Sequence, residues 1–169
     1  GSTAGLPLSV LGSFSAPPAT LRADADLYRQ HISGIVTGLL TLVGIDANPV
    51  DSREHILLSS VLDQQWQQGR NLDLGGLIGA IQNPGLGKIG VLDLESFYPS
   101  KDRFALAMRL NNLLAAPGFH AWTQGAPLDA GTLLFTADGR PRVSIMSIAH
   151  LGDAERMFFV SLLLNQTLS

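Results

Sequence analysis

The chain has no cysteine. That excludes disulfides and thiolate-held metals, and it fits a reducing compartment, so a cytoplasmic location is expected. Charge is also scarce: 15% of its 169 residues are charged against 46% apolar. Such a balance excludes a disordered chain and leaves some surface to be covered by other protein. Lysine is nearly missing, since only Lys88 and Lys101 stand among 11 cations. With a net charge of −3 and no basic run, the chain by itself is not an electrostatic nucleic-acid binder. No apolar stretch reaches the roughly eighteen residues of a membrane span. The greasiest one, residues 32–45, is broken by Ser33, Gly34, Thr37, Gly38, Thr41 and Gly44. Gly1-Ser2 carries no charged flank and no long apolar block follows, so no signal peptide is expected. The length suits one domain with a substantial core.

What is present reads mostly as helix. A short strand is expected within residues 6–14, ended by Pro17-Pro18. Leu27, Ile35, Leu39 and Leu42 form a helical stripe over residues 22–43, where Gly34 and Gly38 would let another helix approach closely. Gly44 ends that helix. Asp51 is placed to cap the next one, residues 54–68, with Glu54 closing a capping box and Ile56, Leu57, Val61 and Trp66 facing inward. Gly69 is its stop. Asp73 caps a shorter helix over 74–82, which Pro84-Gly85 ends. Ser100 caps a helix over 101–115, in which Phe104, Ala107, Met108 and Leu110 are expected to pack while Arg103 and Arg109 look outward. Leu133-Leu-Phe135 and residues 143–148 are the best strand pair, joined by a turn at Thr136-Ala-Asp-Gly139. Because residues 143–149 are largely apolar on both faces, they read equally as a buried parallel strand.

Several chemistries can be tested against this pattern. A phosphate-binding loop needs G-x-x-x-x-G-K-[ST], so that backbone N–H groups cradle phosphate while the lysine and hydroxyl reach the terminal oxygens and magnesium. Lys88 follows Gly87, but Ile89 comes next and position 82 is Gln; Lys101 is followed by Asp102. The motif is absent, and Gly85-Leu-Gly-Lys88 reads as a surface turn. Val91-Leu-Asp-Leu-Glu95 ends in acids, but its apolar lead-in is short, and it reads as a turn and cap. His31, His55, His120 and His150 lack zinc-ligand spacing. No G-x-S-x-G elbow occurs, and Asp93 with Glu95 is too generic a carboxylate pair to indicate a glycosidase.

The last thirty residues are the most informative. An apolar strand stops at His150-Leu-Gly-Asp153, and a helix with a broad apolar face follows. His150, Asp153, Glu155 and Arg156 therefore gather at a strand's C-terminal end beside a helix N-terminus, where open α/β sheets bind ligands. The same residues also suit a capping network, with Asp153 as cap and Glu155 in the first turn. The final helix runs to Ser169 without a stop signal, and the chain is expected to be a piece of something longer.

Residues 147–165, Ser-Ile-Ala-His-Leu-Gly-Asp-Ala-Glu-Arg-Met-Phe-Phe-Val-Ser-Leu-Leu-Leu-Asn, resemble the HerA/FtsK-type P-loop ATPases, hexameric motors that move DNA. Asp51-Ser-Arg-Glu-His-Ile-Leu-Leu58, Gly90-Val-Leu-Asp-Leu-Glu-Ser-Phe97 and residues 103–115 with their Pro-Gly-Phe continuation are similar to the same bacterial HerA-like group, in the same order. In that family the Walker A motif precedes this region and the Walker B acid follows it. The resemblance thus implies a helix-rich α/β fold: a helical insertion (residues 22–125) plus a small strand–helix part of a RecA-like P-loop sheet (residues 131–169), together one domain cut from a larger ATPase. It implies a parent that binds ATP and magnesium, forms a hexameric ring and engages DNA, with a nuclease as a candidate partner. Within this chain it implies no catalytic residue and no cofactor. The same reading expects an exposed apolar patch along residues 157–168, or a dimer burying it. A free-standing helical interaction module, with no nucleotide role, expects instead that all apolar residues are internally satisfied.

Overall fold

The computed structural model describes residues 8–9, 14–119, 122 and 124–167. The chain is helix-rich. Its helices are α1 (Ala19–Ala23), α2 (Ala25–Leu42), α3 (Arg53–Gln67), α4 (Leu74–Gln82), α5 (Leu94–Phe97), α6 (Ser100–Ala115), α7 (Ala130–Leu134) and α8 (Asp153–Thr167), with a 3-10 turn at Pro117–Phe119. Strands are two residues long. β1 (Leu8–Ser9) pairs in parallel with β4 (Ala126–Pro127), and β2 (Lys88–Ile89) pairs antiparallel with β3 (Leu92–Asp93). The rest of the strand expected over residues 6–14 lies outside the described residues, apart from a single bridge between Phe14 and Leu72.

Helix boundaries follow local chemistry. The Asp24 carboxylate accepts from the Asp26 and Leu27 amides and starts α2. Gly44 and Gly69, at φ 75° and 69°, supply the left-handed residues that end α2 and α3. Asp73 accepts from the Gly76 amide and starts α4. The expected cap of α3 shifts by one: Ser52, not Asp51, accepts from the His55 amide, and its hydroxyl donates to Glu54. Helix α6 begins at Ser100 with Pro99 before it and no side-chain cap. The Glu95 carboxylate instead accepts from the Ser100 amide at 2.7 Å.

Trp66 is the hub of the core. Its indole N–H donates to the Phe14 carbonyl at 2.9 Å, and its own carbonyl accepts from Arg22 at 2.8 Å. Tyr28 and His31 lean on its ring, with centroids 6.3 and 5.6 Å away. These contacts tie the N-terminal segment and α2 to the end of α3. A second layer forms where α8 lies along α2. Phe158, Phe159 and Leu162 are buried there, and Phe158 stacks on Trp122 with centroids 5.9 Å apart. Each such side chain contributes about 1.5–3 kcal/mol on burial.

Three expectations are corrected. Arg103 is buried at 5% exposure, whereas Phe104 and Met108 are exposed. The guanidinium turns inward because the Tyr98 carbonyl and the Glu95 carboxylate accept from it, which makes burial of the charge tolerable. The expected strand Leu133-Leu-Phe135 is largely helical: α7 covers Leu133 and Leu134, and the Asp129 carboxylate starts it by accepting from the Thr132 amide. Consequently, the expected strand pair is reduced to one bridge, Phe135 to Pro141, across a turn in which the Gly139 amide donates to Thr136. Leu27, expected on the apolar stripe of α2, is exposed, while Ile35 and Leu39 are buried.

Candidate functional site

Residues 143–149 lead into the polar corner singled out by the sequence. They form neither helix nor paired strand. Among the described residues, none of their amides makes a backbone hydrogen bond, and only the Ile148 carbonyl accepts one, from Leu151. Their burial alternates with the period of a strand. Ser144, Met146 and Ile148 are partly covered, and Met146 and Ile148 pack on the core. Val143 and Ile145 point the other way and are 90% and 93% exposed. The Ser144 hydroxyl donates to the Leu133 carbonyl at 2.7 Å and the Arg142 amide to Leu134, which anchors one end beside α7. The segment has the sequence and alternation of a β-strand, yet among the described residues it has no backbone partner along its edges and one of its faces is exposed.

The corner itself is ordered by local bonds. The Glu155 carboxylate accepts from the Gly152 amide at 2.7 Å, closing the N-terminus of α8. Arg156 donates to the Leu151 carbonyl at 3.0 Å and sits 3.6 Å from Asp153. Asp153, whose side chain is 99% exposed, is the first residue of α8. His150 is exposed. Glu155, Arg156 and Asp153 are thus brought together by the helix start. At exposed positions these pairs are worth well under 1 kcal/mol or so.

A cleft of about 420 Å³ lies elsewhere, between α2 and α3, lined by Tyr28, Ile32, His55, Ile56, Ser59 and Asp63 among others. Its chemistry is quiet. His55 is buried, and both ring nitrogens are engaged, Nε2 with the Thr37 hydroxyl at 3.1 Å and Nδ1 with Ser59 at 3.2 Å. Burial pushes its pKa below the ordinary value, so it is held neutral with no free lone pair to act as base or ligand. The Tyr28 hydroxyl is driven well above its usual range by burial and by the neighbouring Asp63 carboxylate. Neither group is poised for proton transfer near neutral pH.

The acids around β3 have structural partners. Asp93 accepts from the Ser96 amide and hydroxyl, and Glu95 from the Ser100 amide and Arg103; these bonds hold both carboxyls below the usual range. Gly85-Leu-Gly-Lys88 runs into β2 of a tight hairpin rather than into a helix N-terminus. It therefore cannot cradle a phosphate as a P-loop does. Among the described residues no group of three or more His, Asp and Glu side chains converges to hold a metal ion, and no helix is long and apolar enough to cross a membrane.

The apolar side of α8 is only partly covered. Met157 and Leu164, seven residues apart on one face, are exposed. Leu134, Phe135, Val143 and Ile145 add four more exposed apolar side chains on the neighbouring α7 and extended segment. Sequence reasoning missed the contribution of α7. The Asp129-x-x-Thr132 capping pattern was the signal for it. Compared with protein-family models, with curated proteins and with solved structures, the chain matches none of them.

Proposed function

We propose that the chain is the helical middle segment of a HerA-like ATP-dependent DNA translocase, and that it is not catalytically competent alone. One observation carries this reading. Residues 143–149 have the composition and alternation of a strand, but among the described residues their amides have no backbone partners and Val143 and Ile145 stand in solvent. An apolar strand of this kind is stable inside a sheet covered on both faces. The rest of the parent ATPase would supply that sheet.

In this reading α2 to α6 are an inserted helical body, and 143–149 with α8 belong to a RecA-like core. His150, Asp153, Glu155 and Arg156 then lie at the nucleotide-facing edge of the parent's sheet. ATP and magnesium binding, the hexameric ring, DNA engagement and a partner nuclease are properties of the parent. The exposed Met157 and Leu164 support a buried position for this face of α8 in the assembly. A free-standing interaction module fits less well, because it requires every apolar residue to be internally satisfied.

Calorimetric titration of magnesium-ATP into the purified chain tests the proposal. No binding is expected, because the sequence contains no G-x-x-x-x-G-K-[ST] loop. Tight, magnesium-dependent binding would overturn it.

A further inference from the structure

Any strand that can reach the open edge of residues 143–149 can fill it, and in a solution of this chain alone the one available at high concentration is the same segment of another molecule. Three observations favour that occupant. The edge is unsatisfied, since no amide of residues 143–149 has a backbone acceptor among the described residues. The segment Val143-Ser-Ile-Met-Ser-Ile-Ala149 contains no charge, no proline and no glycine, so none of the usual devices blunts the edge. Its flanks have opposite net charge, with Asp138, Arg140 and Arg142 before it and Asp153, Glu155 and Arg156 after it.

The flanking charges select the direction. Parallel pairing in register would place Arg140 and Arg142 on their own copies. Antiparallel pairing about a two-fold axis at Met146 sets Val143 opposite Ala149 and Ile145 opposite Ser147. It also brings Arg140 and Arg142 of each copy to the end where His150 leads into Asp153 of the other. Both groups stand in solvent, Arg140 at 82% exposure and Asp153 at 99%, where their present ion pairs with Asp138 and Arg156 can exchange for pairs across the axis. The even-numbered face of the new ribbon would rest on the cores of both copies, because Met146 and Ile148 already pack there. That support is what an isolated two-stranded ribbon lacks.

We propose that the chain self-associates into a two-fold dimer through antiparallel pairing of residues 143–149. This rests on the reading of those residues as a strand without its sheet. The two ideas fail separately: self-pairing is read from association of this chain, and the parent's activity from its nucleotide chemistry.

Sedimentation equilibrium of the full chain across micromolar concentrations, paired with amide hydrogen exchange, tests the dimer. A concentration-dependent dimer is expected, with protection of the amides of residues 143–149 rising as it forms. Ile145→Lys places two new cations diagonally across the axis and should raise the dissociation constant about tenfold or more. Position 145 is 93% exposed, so helix content by circular dichroism should be unchanged. A second variant, Met157→Lys on the exposed face of α8, should leave the dimer intact. A monomer at every concentration would overturn the proposal. So would a dimer indifferent to Ile145→Lys, or one formed without protection of 143–149.

Discussion

Phe158 seals the contact between α8 and α2 by lying against Gly38: a β-carbon placed on Gly38 would stand 3.0 Å from the Phe158 ring. The ring is not free to move aside, because it also stacks on Trp122. Gly38 therefore sets how closely the C-terminal helix approaches the helical body.

Substitution at Gly38 should break the usual rule that replacing a helical glycine stabilises. Gly38→Leu is expected to cost about 2–3 kcal/mol through overpacking. Gly79, inside α4 with nothing within 4 Å of an added β-carbon, is the control, and Gly79→Ala should stabilise by about 1 kcal/mol. Urea unfolding followed by tryptophan fluorescence reads both.

Acid should destabilise the fold through two histidines. His31 and His55 are buried, and burial pushes both below their ordinary value. Just below about pH 6.5 the unfolded chain binds protons that the folded chain refuses, so stability falls as pH drops through that window and recovers as it rises. Urea midpoints at about pH 5 and about pH 7.5 should differ in that direction. His55→Gln should reduce the difference.

Arg103 should behave as a core residue. Its guanidinium bridges the Tyr98 carbonyl and Glu95 across the α5–α6 corner. Arg103→Ala is expected to cost about 2 kcal/mol or more by leaving a buried carbonyl short of a donor. Lys101→Ala, at an exposed position two residues earlier, should stay within about 0.5 kcal/mol of the parent. Thermal melts by circular dichroism distinguish the two.

Adjacent residues separate the two candidate caps of α3. Ser52→Ala removes the acceptor of the His55 amide and should cost about 1 kcal/mol, whereas Asp51→Ala should cost much less. Equal losses would show that the cap is shared.

Helices were the legible part of the sequence, because their ends are written in local chemistry. Asp73, Gly44 and Gly69 mark boundaries through bonds and backbone angles within a few residues, and the structure follows them. Faces were harder to read. On α6 the arginine at 103 looked solvent-bound, and nothing nearby in sequence shows that Glu95 and the Tyr98 carbonyl wait on the preceding turn. The strand pair failed for a related reason. Leu133-Leu-Phe135 has strand composition, but Asp129 starts a helix there, and residues 143–149 are left extended beside it without an edge to join. The polar corner at His150 to Arg156 was visible as a cluster. Its local bonds, Glu155 to Gly152 and Arg156 to Leu151, depend on how α8 begins, which composition alone does not reveal.

We propose above that these residues are scaffold from inside a DNA motor whose nucleotide-gripping parts belong to the parent protein. The most direct measurement is magnesium-dependent ATP hydrolysis, with and without DNA, by a protein extended into the adjoining coding sequence at both ends, beside the present chain as control. The account predicts DNA-stimulated hydrolysis by the extended protein and none by this chain. An extended protein that neither binds nor hydrolyses ATP would contradict it.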